Sequence, residues 1–158
     1  MAKFIKFLIP ALIAGSLAVL ADSAFALDGD AEKGEAVFKK CKSCHMVGDD
    51  AQNRVGPVLN NVFGRQAGTF ADYKYGKSIV DAGEDGLVWN DEEMFEYLAD
   101  PKKYLRAKLD DKKAKSKMSF KLKKEDERAN VIAYLKSFSP ESESEVPESN
   151  TEEESSSN

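Results

Sequence analysis

The segment Cys41-Lys42-Ser43-Cys44-His45 sets two thiols three positions apart and follows them directly with an imidazole. On one helical turn both sulfurs can reach the vinyl groups along one edge of a haem. The next side chain, His45, then lies under the ring and can bind its iron. Cys-x-x-Cys-His is the sequence sign of c-type haem attachment. Other chemistries use two close cysteines. A redox dithiol sits on a βαβ frame, and no such pattern is present. Half a zinc site needs more ligands, and the two cysteines and single histidine of the chain are all inside this pentapeptide. In an oxidising compartment a disulfide would be the first expectation, but the spacing favours a haem.

Outward from the pentapeptide, helical spacing dominates. Gly34, Val37, Phe38 and Cys41 recur at one-face intervals and predict a helix over about 30–42, capped by Asp28 or Asp30. Asn90 with Glu93 resembles a capping box, and Asp91 and Glu92 suit a positive helix start. Met94, Phe95 and Leu98 give that second helix its apolar face, and Pro101 stops it. Arg128, Val131, Ile132 and Leu135 share a stripe that predicts a third helix over about 124–138, with Tyr134 and Phe138 beside it and Pro140 after it. A short helix over 75–82, closed by Gly83, is also expected. Nothing alternates at period two, so the fold class is all-α. Residues 46–70 and 101–123 read as loops of more than 20 residues. Loops that long count against an element assignment unless something orders them, and a large bound group does so.

The two ends differ from the middle. Residues 1–26 read as a secretory signal peptide: Lys3 and Lys6, an apolar run from Phe7 to Leu20, and the small-x-small site Ala24-Phe25-Ala26. The alternative is an uncleaved anchor, although the run is short for a membrane span of about 20 residues. Residues 141–158 contain one aliphatic side chain, Val146, among Glu, Ser, Asn, Thr and Pro. That composition cannot bury enough surface to offset ordering, so a disordered acidic tail is expected. One domain remains, residues 27–140. It has 21 Lys and Arg against 20 Asp and Glu, while the tail has seven Glu and no basic residue. Residues 101–124 alone hold 11 basic residues and two acidic ones. The basic stretch is local and lacks interleaved aromatics, so nucleic acid is not an expected partner.

Haem iron held by His45 needs a second axial ligand or stays open. No second histidine exists, and Met46 is too close to His45 to reach the opposite face. Met94 lies on an apolar stripe, where methionine is usually core filler. Met118, in Lys115-Ser116-Lys117-Met118-Ser119-Phe120, has little packing reason to be there and is the expected ligand. A His/Met pair raises the potential and leaves no iron position for oxygen or peroxide. The competing class is a haem enzyme or gas sensor with a labile Met118, which would need polar residues on the open side.

Further segments carry a resemblance. They are Gly34 to Phe38, Val55-Gly56-Pro57-Val58-Leu59, Phe63-Gly64-Arg65, Tyr73-Lys74-Tyr75-Gly76, Trp89, Glu96 to Lys102, Lys117 to Phe120, and Ile132 to Leu135. Together they resemble class I cytochrome c, within it the bacterial cytochrome c2 and cytochrome c-550 group. The resemblance implies the cytochrome c fold, three main helices and long loops around one covalent haem c held by Cys41 and Cys44. It implies that the first and third helices cross at Gly34, Phe38 and Tyr134. By the same resemblance Pro57 accepts a hydrogen bond from His45, Tyr97 lies near the Met118 sulfur, and Arg65, Tyr75 and Trp89 contact a haem propionate. Ser116 stands where many relatives carry Thr.

The lysines Lys102, Lys103, Lys108, Lys112, Lys113, Lys115, Lys117 and Lys121 surround the expected ligand in sequence. A solvated face is the plain reading. The family rings an exposed haem edge with lysines, and such a patch speeds encounter with acidic partners. The resemblance implies a monomeric periplasmic electron carrier, not an enzyme, which makes transient complexes. Its donor would be a membrane cytochrome bc complex, and its acceptor an oxidase, a photosynthetic reaction centre or a periplasmic reductase.

Overall fold

Asp30 starts the first helix, α1, Ala31–Phe38. Its carboxylate accepts from the backbone N–H of Glu32 at 2.9 Å and of Lys33 at 3.1 Å, satisfying donors that a helix start leaves unpaired. The structure is a computed structural model that describes residues 27–139. The expected signal peptide and acidic tail lie outside the described residues. The other helices are α2, Lys77–Glu84; α3, Asp91–Ala99; α4, Pro101–Lys108; and α5, Glu125–Lys136. Among the described residues there is no strand, only an isolated bridge between Gln66 and Val88. No helix among them is long and apolar enough to cross a membrane.

α1 buries Gly34, Val37 and Phe38 against α5, which buries Val131, Ile132 and Leu135. The crossing is close because Gly34 has no side chain: a Cβ there would lie 2.0 Å from the carbonyl oxygen of Asn130. Phe38, 1% exposed, packs its ring 5.4 Å from that of Tyr134. Burying one such ring is worth about 1.5–3 kcal/mol. Ion pairs tie the helices at the rim, Lys40 to Glu127 at 2.7 Å and Lys136 to Asp91 at 2.9 Å.

Several expected boundaries shift. α1 ends at Phe38 rather than near residue 42, and residues 39–44 form a turn instead. Gly83 does not close α2. It is buried inside the helix, where a Cβ would meet the Ala67 carbonyl oxygen at 2.0 Å, and the left-handed turn falls at Gly86 with φ +95°. Asn90 caps α3 by accepting from Glu93 N–H at 2.8 Å. The Glu93 carboxylate does not complete a capping box: it accepts from Tyr104 Oη and Lys108 Nζ on α4.

The largest correction concerns residues 101–123, expected as one loop. Pro101 ends α3 but also opens α4, where its missing N–H costs nothing. Asp100 caps this helix through Lys103 N–H at 3.0 Å, and Leu105 anchors it in the core. Residues 46–76 do run without a helix. Side chains brace them: Asn60 exchanges hydrogen bonds with the Gly48 backbone at 2.9 and 2.8 Å, and Asn53 Oδ1 accepts from Val58 N–H at 3.0 Å.

Candidate haem-binding site

The turn after α1 carries the pentapeptide. Cys41 N–H donates to the Phe38 carbonyl at 2.8 Å, and Cys44 and His45 N–H both donate back to the Cys41 carbonyl, at 3.0 and 2.9 Å. Cys41 and Cys44 form no disulfide. Burial pushes the Cys41 thiol up to about 11, which keeps it protonated and unsuited to thiolate exchange at neutral pH.

His45 is held from two sides. Its Nδ1 lies 2.8 Å from the Pro57 carbonyl oxygen. That carbonyl can only accept, so Nδ1 carries the proton and Nε2 keeps a lone pair. Burial lowers the imidazole pKa, against the smaller opposite effect of the Pro57 bond, which favours the neutral ring. Gly56 packs on the ring with no room for a side chain: a Cβ would fall 2.3 Å from Cε1.

Both thiols and the imidazole face one cavity of about 280 Å³, together with Met118. Leu59, Val62, Ile79 and Leu98 supply apolar wall, and Arg65, Tyr75, Trp89, Tyr97 and Ser116 supply polar groups. Backbone pairing sets Arg65 beside Trp89, since Trp89 N–H donates to the Arg65 carbonyl at 3.0 Å. The Arg65 guanidinium donates to the Asn60 and Val58 carbonyls at 3.0 and 3.4 Å and lies 4.7 Å over the Phe70 ring. Burial lowers its pKa and raises that of Tyr75, while the two groups soften each other's shift. Trp89 meets Tyr97 edge-on at 5.0 Å. Tyr97 Oη lies 3.5 Å from Ser116 Oγ, which accepts from Met118 N–H at 3.1 Å. Ser116 therefore links the tyrosine to the Met118 backbone.

Met94 also lines this cavity. It is buried on α3 within the core, whereas Met118 is half-buried on the segment after α4.

Of the lysines expected around the site, Lys115 and Lys117 line the cavity. Lys102, Lys103, Lys112, Lys113 and Lys121 are exposed but do not line it, and Lys121 pairs with Asp100 at 2.5 Å. Lys117 Nζ donates to the Lys74 carbonyl and sits 5.9 Å over the Tyr73 ring. The cavity also draws in Lys40, Ser43, Gly56, Tyr73 and two exposed apolar residues that the sequence reading left out of the site, Val55 at 76% and Phe120 at 41% exposure. Only the Cys-x-x-Cys-His turn marked Ser43. Nothing periodic marked the others.

The residues fit a haem. Two thiols on one turn suit vinyl addition, a bare imidazole nitrogen and a thioether suit iron, and apolar walls suit the ring. No cluster of three or more His, Cys, Asp or Glu able to hold a bare metal ion exists among the described residues.

The cytochrome c family profile matches residues 31–139. Cytochrome c2 iso-2 of Rhodospirillum centenum is 52% identical over 120 residues, 72% of this chain and 99% of the relative. Cytochrome c-551 of Roseobacter denitrificans is 52% identical over 118 residues, 71% of this chain and 83% of the relative. Among solved structures, cytochrome c2 from Rhodospirillum centenum superposes with a TM-score of 0.69 at 51% identity, covering 71% of this chain and all of that one. Cytochrome c2 from Paracoccus denitrificans does so with a TM-score of 0.67 at 40% identity, covering 72% and 98%. The chain belongs to the cytochrome c family. It is a mono-haem electron carrier of the cytochrome c2 kind, and Cys41-x-x-Cys44-His45 is the attachment sequence for its one covalent haem c.

Proposed function

We propose that this protein works in the periplasm as a diffusing one-electron carrier with His45 and Met118 as axial ligands. It takes electrons from a membrane quinol-oxidising cytochrome bc complex or a periplasmic dehydrogenase. It passes them to a terminal oxidase, a photosynthetic reaction centre or a periplasmic reductase. The observation that carries this reading is the single cavity that Cys41, Cys44, His45 and Met118 share, with exposed Val55 and Phe120 on its lining.

Bound haem supplies the one-electron centre. The protein's own groups do the rest. Pro57 fixes the tautomer and orientation of the imidazole and leaves Nε2 free to hold iron, and the same hydrogen bond would raise its basicity as a ligand. Ser116 and Tyr97 steady the Met118 segment, and Arg65, Tyr75 and Trp89 supply donors for a propionate. If His45 and Met118 together held the haem iron, no iron position would be left for a substrate, which would make the protein a carrier rather than an enzyme. Lys115 and Lys117 at the cavity, backed by Lys102, Lys103, Lys112, Lys113 and Lys121, form a cationic face for acidic partners. Such a face steers encounter and weakens with salt.

The test uses reduced holoprotein and membranes from the source cells. Rapid second-order oxidation by a respiratory or photosynthetic membrane fraction, slowing as salt rises, is expected. Oxidation by no fraction, combined with turnover of a small-molecule substrate, would overturn the proposal.

A further inference from the structure

We infer that the acidic segment 141–158 docks on the cationic face formed by α4 and the segment after it, in the same molecule. Residues 101–124 hold 11 basic residues against Asp110 and Asp111. Within that stretch Lys108, Lys121 and Lys124 pair with carboxylates. Lys102, Lys103, Lys112, Lys113 and Lys115 are exposed, and their ammonium groups form no ion pair among the described residues. The stretch therefore carries a strong local surplus of positive charge.

The compensating charge lies in the chain itself. Residues 141–158 contain seven Glu and no Lys or Arg. The described chain ends at Ser139, just after Phe138, whose carbonyl accepts from Asn61 N–H at 2.8 Å. The described chain therefore ends close to the loop whose Leu59 and Val62 line the cavity. The 18 residues of the acidic segment span at most about 60 Å. A domain of 113 residues has a radius of gyration of about 13 Å, so the entire basic face is within reach. A tether this short holds the carboxylates at an effective concentration of order mM, which is ample for a multiply charged contact. Lys115 belongs both to this face and to the cavity lining, so the docked segment covers part of the surface an acidic partner would use. That last consequence rests on the partner reading above; the docking does not.

The test needs no physiological partner. Full-length ferrous holoprotein is compared with a full-length variant in which the seven tail glutamates are glutamine, and with a chain ending at Pro140. Backbone amide shifts are recorded at about 0.01 M salt, where screening reaches ~30 Å, and at about 1 M, where it reaches ~3 Å. Differences at Lys102, Lys103 and residues 112–117 at low salt, independent of protein concentration and absent at high salt, are expected. A second readout is oxidation by small inorganic complexes. At low salt the variant should react about two- to fivefold faster than the parent with an anionic oxidant, and slower with a cationic one. Shift differences confined to the neighbours of Ser139, shifts that grow with protein concentration, or equal ratios for both oxidants would overturn the inference.

Discussion

His45 Nδ1 and the Pro57 carbonyl oxygen lie 2.8 Å apart, across a glycine that leaves no space for any side chain beside the ring. The bond and the missing Cβ act together. The carbonyl fixes the tautomer, and Gly56 lets the backbone come close enough to provide it. In Gly56→Ala the new methyl would sit 2.3, 2.6 and 2.7 Å from Cε1, Nε2 and Nδ1. The ring has to move, at a cost of about 1–3 kcal/mol. A lower denaturant midpoint and loss of the protected Nδ1–H resonance are expected. An unchanged midpoint with that resonance intact would show that the ring has more room than the structure gives it.

Two methionines face the cavity, so their roles separate by mutation. Met118→Ala should keep covalent haem, because attachment needs only the two thiols, yet lower the potential and admit cyanide. Met94→Ala should instead destabilise the fold by about 2–5 kcal/mol, as loss of a buried methionine does, with the iron still closed. The reverse pattern would move the ligand to Met94. Cyanide titration and a potential measurement on the two variants decide it.

Arg128 is 5% exposed on α5, on the same stripe as Val131, Ile132 and Leu135. Its Nη1 donates to the Leu122 and Lys123 carbonyls at 3.1 and 2.8 Å, and its guanidinium lies 4.1 Å over Phe95. It thus clamps the chain that follows Met118. Arg128→Met would keep the bulk and leave those carbonyls unpaired, which costs about 1–3 kcal/mol for each buried group. A lower thermal midpoint and faster cyanide entry are expected. Unchanged cyanide kinetics in a destabilised variant would confine Arg128 to packing.

Much of this architecture was legible because it repeats along the chain. The Gly34, Val37, Phe38 spacing, the Asn90 start and the Arg128 to Leu135 stripe correspond to buried faces of α1, α3 and α5. Helix α4 was hidden for a physical reason. Only Pro101 and Leu105 are buried on it, so its lysines mask the period, and its proline acts both as stop and as start. The site was half legible. Cys41, Cys44 and His45 share one local turn, but Val55, Tyr73 and Phe120 arrive on loops whose meeting depends on tertiary packing. Lys112 and Lys113 show the converse, since neighbours of Lys115 in sequence need not share its place at the cavity.

Acid should weaken the fold in a defined window. The Lys33 backbone N–H and ammonium hold Asp30 below its usual value of 3.8, and Lys121, then the Lys103 backbone N–H, do so for Asp100. Lys40 likewise lowers Glu127 from 4.5. A carboxyl depressed by folding contributes stability that is present above its unfolded pKa and lost as pH falls through the lower folded one. The thermal midpoint should therefore be steady from neutral pH to about 5 and then drop below about 4. Asp30→Ala combined with Asp100→Ala should show a lower midpoint at neutral pH and a shallower acid decline. An equal decline in both proteins would assign the acid sensitivity to other groups.

The most direct test of electron carriage with closed axial ligation is exposure of the reduced holoprotein to carbon monoxide, followed by visible spectroscopy and a redox titration. The ferrous spectrum should stay unchanged, the ferric protein should show the weak red-end band of an iron–sulfur bond, and the titration should follow a single one-electron curve. Rapid carbon monoxide binding with no red-end band would contradict His45/Met118 ligation and make the protein a ligand-binding haem protein instead.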